Sequence, residues 1–244
     1  MNIIRRDFKY ILHYARKYFM VMFFLLVILL VDSIASGENP IYYLLLEDFK
    51  DMGMIYNLGE FVPPFMWIIF HILPVFAIIN VLYKDHIRSG TYTILKTHSK
   101  REYFFSKIIS SLLTIVILFI TIFLIIVIVF IIFRNIEKDD IYNLFRIFAF
   151  IMLDDIVLCW ISLFIAIAVS FRISVIYIII QLSVSMLTNI SFMIGQGSLV
   201  FKQDIFGGIF DLKSNILIIL SYMIIYLILM YVIVPKYNHY GSKE

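Results

Sequence analysis

The sequence is short of charge, cysteine and every familiar catalytic motif. Among its 244 residues there is one cysteine, Cys159, which excludes a disulfide framework within the chain and a multi-cysteine metal centre. Charged residues make up only 15%, and 20 basic against 17 acidic side chains leave a net charge of +3, too mild for a nucleic-acid surface. No glycine precedes a lysine, so the G-x-x-x-x-G-K-[ST] phosphate loop is absent. H-E-x-x-H and G-x-S-x-G are absent too, and His13, His71, His86, His98 and His239 fall on different elements, which argues against a membrane protease. We expect no catalytic residues, no bound metal and no cofactor on this chain.

What the chain has is apolar length. Hydrophobic residues reach 63% and the mean hydropathy is +1.00, far above soluble averages. A hydrocarbon core of roughly 30 Å needs about 20 apolar residues of helix. Six runs of that kind lie near 18–35, 61–83, 108–133, 147–169, 173–195 and 215–234. The expected fold is therefore all-α: one polytopic transmembrane domain over residues 1–244 with six transmembrane helices.

Ahead of the first run, Ile4, Phe8, Ile11 and Ala15 recur at helical spacing beside Arg6, Lys9, His13 and Arg16. This pattern predicts an amphipathic interfacial helix over 1–17, lying on the headgroups before the chain turns in. The competing reading is a signal peptide ending at Ser33-Ile34-Ala35, but residues 1–17 are long for its basic region. With the N-terminus inside, 14 Lys and Arg fall in inner segments and 6 in outer ones, which predicts cytoplasmic termini at both ends of a multi-pass protein of the cytoplasmic membrane.

Residues 84–107 form the only sizeable inner segment between crossings. Ser89-Gly90 interrupts the helical pattern, Thr91 to Lys96 reads as a short helix, and Ser99-Lys100-Arg101-Glu102 has the form of a capping box that starts the next helix. A solvated linker is the plain alternative. The stretch Asp85-His86-Ile87-Arg88-Ser89-Gly90-Thr91, then Ile94-Leu95, Ser99-Lys100-Arg101 and Lys107, resembles the loop after the second crossing of ABC-2 type transporter permeases. Asp85 stands where that family more often has Glu, and Thr97-His98 where a proline often sits.

The resemblance extends to the layout of the chain. It implies the membrane subunit of a small ABC exporter, a homodimer or a heterodimer with a homologous permease in the lipid bilayer. A separate ABC ATPase subunit would carry ATP and Mg. It further implies a coupling helix in which Gly90 allows a turn, Thr91 caps, Leu95 fills an apolar hollow and Arg101 meets the partner, with Asp85, Ser99 and Lys107 around them. Similarity in size to small peptide-expelling permeases implies an amphipathic or antimicrobial-type peptide as cargo.

Two outer segments remain. Residues 36–60 suggest a short surface helix around Ile41 to Leu46. Residues 196–214 are too short to cross and too apolar for a free loop; in the resembled family this region re-enters the membrane, which makes Phe206, Gly207, Gly208 and Phe210 candidates for an outer gate. Ser170-Phe171-Arg172 predicts a tight hairpin between the fourth and fifth runs.

Three ionisable residues lie inside the apolar runs. Asp154 and Asp155 are eight or nine residues past Arg146, roughly 12–14 Å along the helix, and His71 enters from the same side to a depth of roughly 15 Å. An ionised Asp at mid-span costs about 2.5–3.5 kcal/mol on insertion scales, so at least one carboxylate should face other helices, a water-filled cavity or a partner such as His71. One reading is an ion or proton path serving an ATP-independent carrier; the other is a hydrogen bond between helices. A non-transporting peptide-immunity protein is a third reading of the whole chain. The 24 Phe and 16 Tyr read mainly as lipid-facing and interfacial residues.

Overall fold

The computed structural model describes residues 3–36, 39–49, 51, 63–97, 99–133, 138–190 and 192–233. Among these, the regular elements are helical: α1 (Ile3–Ala35), α2 (Pro40–Tyr43, continuing as a wider π turn over Leu44–Asp48), α3 (Phe65–Thr97), α4 (Lys100–Phe133), α5 (Lys138–Ala168), α6 (Phe171–Leu187) and α7 (Leu212–Ile233). Five of them, α1, α3, α4, α5 and α7, are long and apolar enough to cross a membrane, which makes this a membrane-embedded protein. At 17 residues α6 is shorter than a full crossing.

Nothing between Ile3 and Ala35 breaks a helix, since the stretch has no glycine or proline, and α1 is continuous. The separate interfacial helix over 1–17 is therefore corrected. Asp7, Ile11, Ala15, Phe19, Met22, Leu26, Leu29 and Ser33 form one buried stripe that lies against α4 and α3 along the helix. Lys9, His13 and Arg16 stay exposed beside it.

The segment 84–107 also departs from expectation. Helix α3 runs straight through Ser89-Gly90 to Thr97, so there is no break and no separate helix over 91–96. Gly90 serves close approach instead: a Cβ there would stand 2.9 Å from His86 Nδ1 and 3.1 Å from Tyr103 Oη of α4. At 33 and 34 residues, α3 and α4 are each roughly 50 Å long, well beyond the roughly 30 Å hydrocarbon core. They make a helical hairpin whose ends, at Thr97 and Ser99–Lys100, extend past the apolar runs.

Helix α5 is central, packed by α3, α4, α6 and α7. It turns into α6 within two residues, and the Ser170 hydroxyl caps α6 by accepting from the Ile173 amide at 3.2 Å. The fifth apolar run, placed at 173–195, is shortened: α6 ends at Leu187 and Thr188 is extended. Its last carbonyls, those of Ser185 and Thr188, accept from Gln196 Nε2 at 2.7 and 2.6 Å and from Lys202 Nζ at 3.1 and 2.7 Å. The chain then folds back as three 3-10 turns, Gln196–Ser198, Val200–Lys202 and Asp204–Phe206. Arg146, near the start of α5, bonds Asp204 in the last of them.

The segment around Ile41 forms a short helix laid over the bundle. Ile41, Leu44, Leu45 and Phe49 are fully buried, and Phe49 meets Phe70 of α3 and Phe148 of α5 edge to face.

Candidate functional site

Two buried polar clusters lie at different levels of the bundle. The first joins α1 to the α3–α4 hairpin. Lys107 is wholly buried, with Nζ 2.7 Å from Asp85 Oδ2, 3.8 Å from Asp7 Oδ2 and 4.7 Å from the centre of the Tyr103 ring. Arg6 donates to Asp7 at 2.6 Å, to Asp85 at 3.0 Å and to Thr93 Oγ1 at 2.8 Å. Ser106 donates to Asp7 and Ser89 to Asp85. Two acids and two bases thus compensate each other, the condition under which buried charge is tolerated.

Of the residues implied by the resemblance, the structure brings Asp85 and Lys107 together in this knot. Ser99 caps α4 by accepting from the Glu102 amide at 3.2 Å. Arg101 stacks on Tyr231 of α7, its guanidinium 4.2 Å from the ring centre. The side chains of Thr91 and Leu95 lie outside the described residues, although their backbone belongs to α3. From the sequence, Arg6 is assigned only to the polar side of an interfacial helix and Asp7 is passed over; the available signal is an acid inside the apolar stripe of α1.

The second cluster lies midway along α5. Asp154 and Asp155 are buried there with His71 of α3 and Ser198 of the folded-back segment. His71 Nδ1 stands 2.5 Å from Asp155 Oδ1, and His71 Nε2 stands 3.1 Å from Ser198 Oγ. The Ser198 hydroxyl also accepts from Trp67 Nε1 at 2.9 Å. Asp154 is within hydrogen-bonding reach of the Ser198 side chain and the Gly195 amide. Gly195 is required at this spot, because its φ is +100° and a Cβ would come 3.1 Å from the Trp67 ring. Asp154 Oδ2 and Asp155 Oδ2 have no hydrogen-bond partner among the described residues.

Adjacent residues of a helix point about 100° apart. Both aspartates nevertheless serve one cluster, because Ser198 reaches between them from a different element. The order Asp155, His71, Ser198 has the connectivity of an acyl-transfer triad. Ser198 is wholly buried, however, and a carboxylate sits beside it where an oxyanion would need donors, so nucleophilic attack has no support here.

A polar seam on α4 runs from the first cluster toward the second. Ser106, Lys107, Ser110, Ser111 and Thr114 are buried on one face of an otherwise very apolar helix. Ser111 meets Cys159, one turn beyond Asp155 on α5.

The gate candidates lie farther along the chain than Ser198, at the end of the third 3-10 turn and just after it. Phe210 is buried, Phe206 half-buried, and Gly207 has φ +85° with open space around its Cα. Gly208 lies against the Lys202 backbone, and its amide donates to Gln203 O at 2.8 Å. The part of the segment that reaches the buried aspartates is Gly195–Ser198, at the start of the stretch 196–214 expected to re-enter, and not the Phe206–Phe210 part expected to form the gate. No protein family, no curated protein and no solved structure matches this chain.

Proposed function

We propose that the chain is the membrane-spanning subunit of an ABC exporter of the ABC-2 type, docking a separate ATPase subunit at the tip of the α3–α4 hairpin. The observation that supports this reading is the buried knot of Arg6, Asp7, Asp85 and Lys107, which ties that hairpin to α1. A push at the tip would move three helices as one body, because sliding any of them past another would strand a buried charge. The hairpin also carries Ile87 and Tyr92, 60% and 71% exposed, beside exposed Lys84 and Arg88, a surface suited to an apolar patch with an acidic rim on a soluble partner.

In this reading both termini are cytoplasmic, α6 is the fifth of six crossings, the folded-back segment re-enters the membrane after it, and two homologous copies form the pathway. An amphipathic peptide is the proposed cargo. The test is to purify the full-length protein in mild detergent from its native cells and identify what accompanies it. A stoichiometric soluble protein with a phosphate-loop motif, lost in an Ile87→Ala/Tyr92→Ala variant that keeps its own dispersity, supports the reading. Purification without such a protein, at intact dispersity and in the presence of Mg and ATP, counts against it.

A further inference from the structure

We propose that His71, Asp154, Asp155 and Ser198 form a proton-binding centre inside the bundle, and that its bound proton fastens the folded-back segment 195–203 to α3 and α5. Two carboxylates stand here out of contact with solvent, and each keeps one oxygen without a hydrogen-bond partner among the described residues. Such a site calls for a cation. No group of three His, Cys, Asp or Glu among the described residues is arranged to hold a metal ion, and the 2.5 Å between His71 and Asp155 leaves no gap for an ion between them. A proton needs no gap.

The hydrogen inventory of Ser198 makes the centre two-state. Its hydroxyl has one hydrogen, for which Gly195 O at 3.0 Å, His71 Nε2 and the Asp154 carboxylate all compete, and one of its lone pairs is taken by Trp67 Nε1–H. With a neutral His71 whose Nδ1–H donates to Asp155, Nε2 carries a lone pair, and the Ser198 hydrogen is shared between it and the Gly195 carbonyl. Adding one proton at Nε2 makes both ring nitrogens donors. Ser198 then accepts from Trp67 and from His71, and its own hydrogen turns to the Asp154 carboxylate within its reach. One proton enters, no covalent bond in the chain breaks, and the segment gains a charge-assisted bond to each of two helices.

The proton exchanges with the outside through opening of the segment, which is irregular and partly held by side chains: Gln203 Nε2 donates to Gly197 O and Gln196 Nε2 to the end of α6. The other titratable groups around the centre are few. On α5 it is Cys159, which lies near Tyr226 of α7 and Ser111 of α4. On the segment it is Lys202, held by α6 carbonyls and Gln196 Oε1 and facing Asp51. Apart from Lys202, the named polar contacts of α6 with the segment come from uncharged groups, Gln181, Ser185 and Thr188.

The proposal is independent of ATPase docking and survives its failure. The test uses the full-length protein in lipid nanodiscs, titrated from about pH 8 to about pH 5, the range in which an imidazole changes charge. Nitrogen NMR of a variant keeping His71 as its sole histidine should show the ring passing from a neutral form with Nδ1–H to the doubly protonated form. Hydrogen exchange of the unmutated protein, corrected for the intrinsic effect of pH, should show amide protection over 195–203 rising roughly tenfold on acidification, the change expected for one added charged hydrogen bond. Asp154→Leu should lose that rise. A His71 ring fixed in one form over this range, or unchanged protection of 195–203 in the unmutated protein, overturns the proposal.

Discussion

Lys107 on α4 and Asp85 on α3 meet at 2.7 Å, with the lysine wholly buried, at the level where Asp7 brings α1 into the same contact. A lysine so placed is stable because two carboxylates and the Tyr103 ring surround it.

Lys107→Met should lower stability by about 3–5 kcal/mol, since it leaves Asp7 and Asp85 with Arg6 as their one cation in the knot. Combining it with Asp85→Leu should recover most of the loss, because the uncompensated acid is gone. Thermal dispersity in detergent reads both variants. A double variant no better than the single one would show that the loss does not come from stranded charge.

The short helical segment over Pro40–Asp48, laid over the bundle as a cap, should respond to pH through Asp48. Burial pushes its carboxyl up to about 6, Asp32 and Glu47 add repulsion, and the hydrogen bond from Ser33 at 3.2 Å opposes them in part. The folded cap binds the proton more tightly than the open one, so the cap is favoured at low pH and this contribution is lost as pH rises through about 6. Limited proteolysis within 39–49 should quicken across that window, and Asp48→Asn should make the rate independent of pH.

Neighbouring glycines should behave differently. Gly208→Ala would set a Cβ 2.1 Å from the backbone C and O of Lys202, which only a backbone shift relieves, whereas Gly207→Ala meets no atom within 4 Å. At Gly207 the cost is that of a left-handed residue, roughly 1–2 kcal/mol. Hydrogen exchange over 200–210 should therefore rise sharply in Gly208→Ala and only modestly in Gly207→Ala. Equal effects would mean that the Lys202 backbone yields freely.

The legible parts of this protein were those governed by one helix at a time. Apolar run length placed α3, α4, α5 and α7 to within their overhanging ends, and Ser170 marked the α5–α6 turn. Gly90 misled as a break, because its value lies in what crosses it, the His86–Tyr103 contact at 2.9 Å. Likewise Thr188 ends α6 within an apolar run, since Gln196 and Lys202 capture carbonyls that another turn of helix would have used.

By itself, then, the sequence determined that this chain is a set of long apolar helices and that His71, Asp154 and Asp155 stand at unfavourable positions among them. Only the tertiary structure decided what relieves them: Ser198, which lies 127 positions from His71 in the chain, and in the other cluster Asp7, which meets Ser106 across 99. The physical reason is that apolar periodicity is a local property summed along one helix. A buried polar group is satisfied by whichever side chain the packing of separate helices brings within hydrogen-bonding distance.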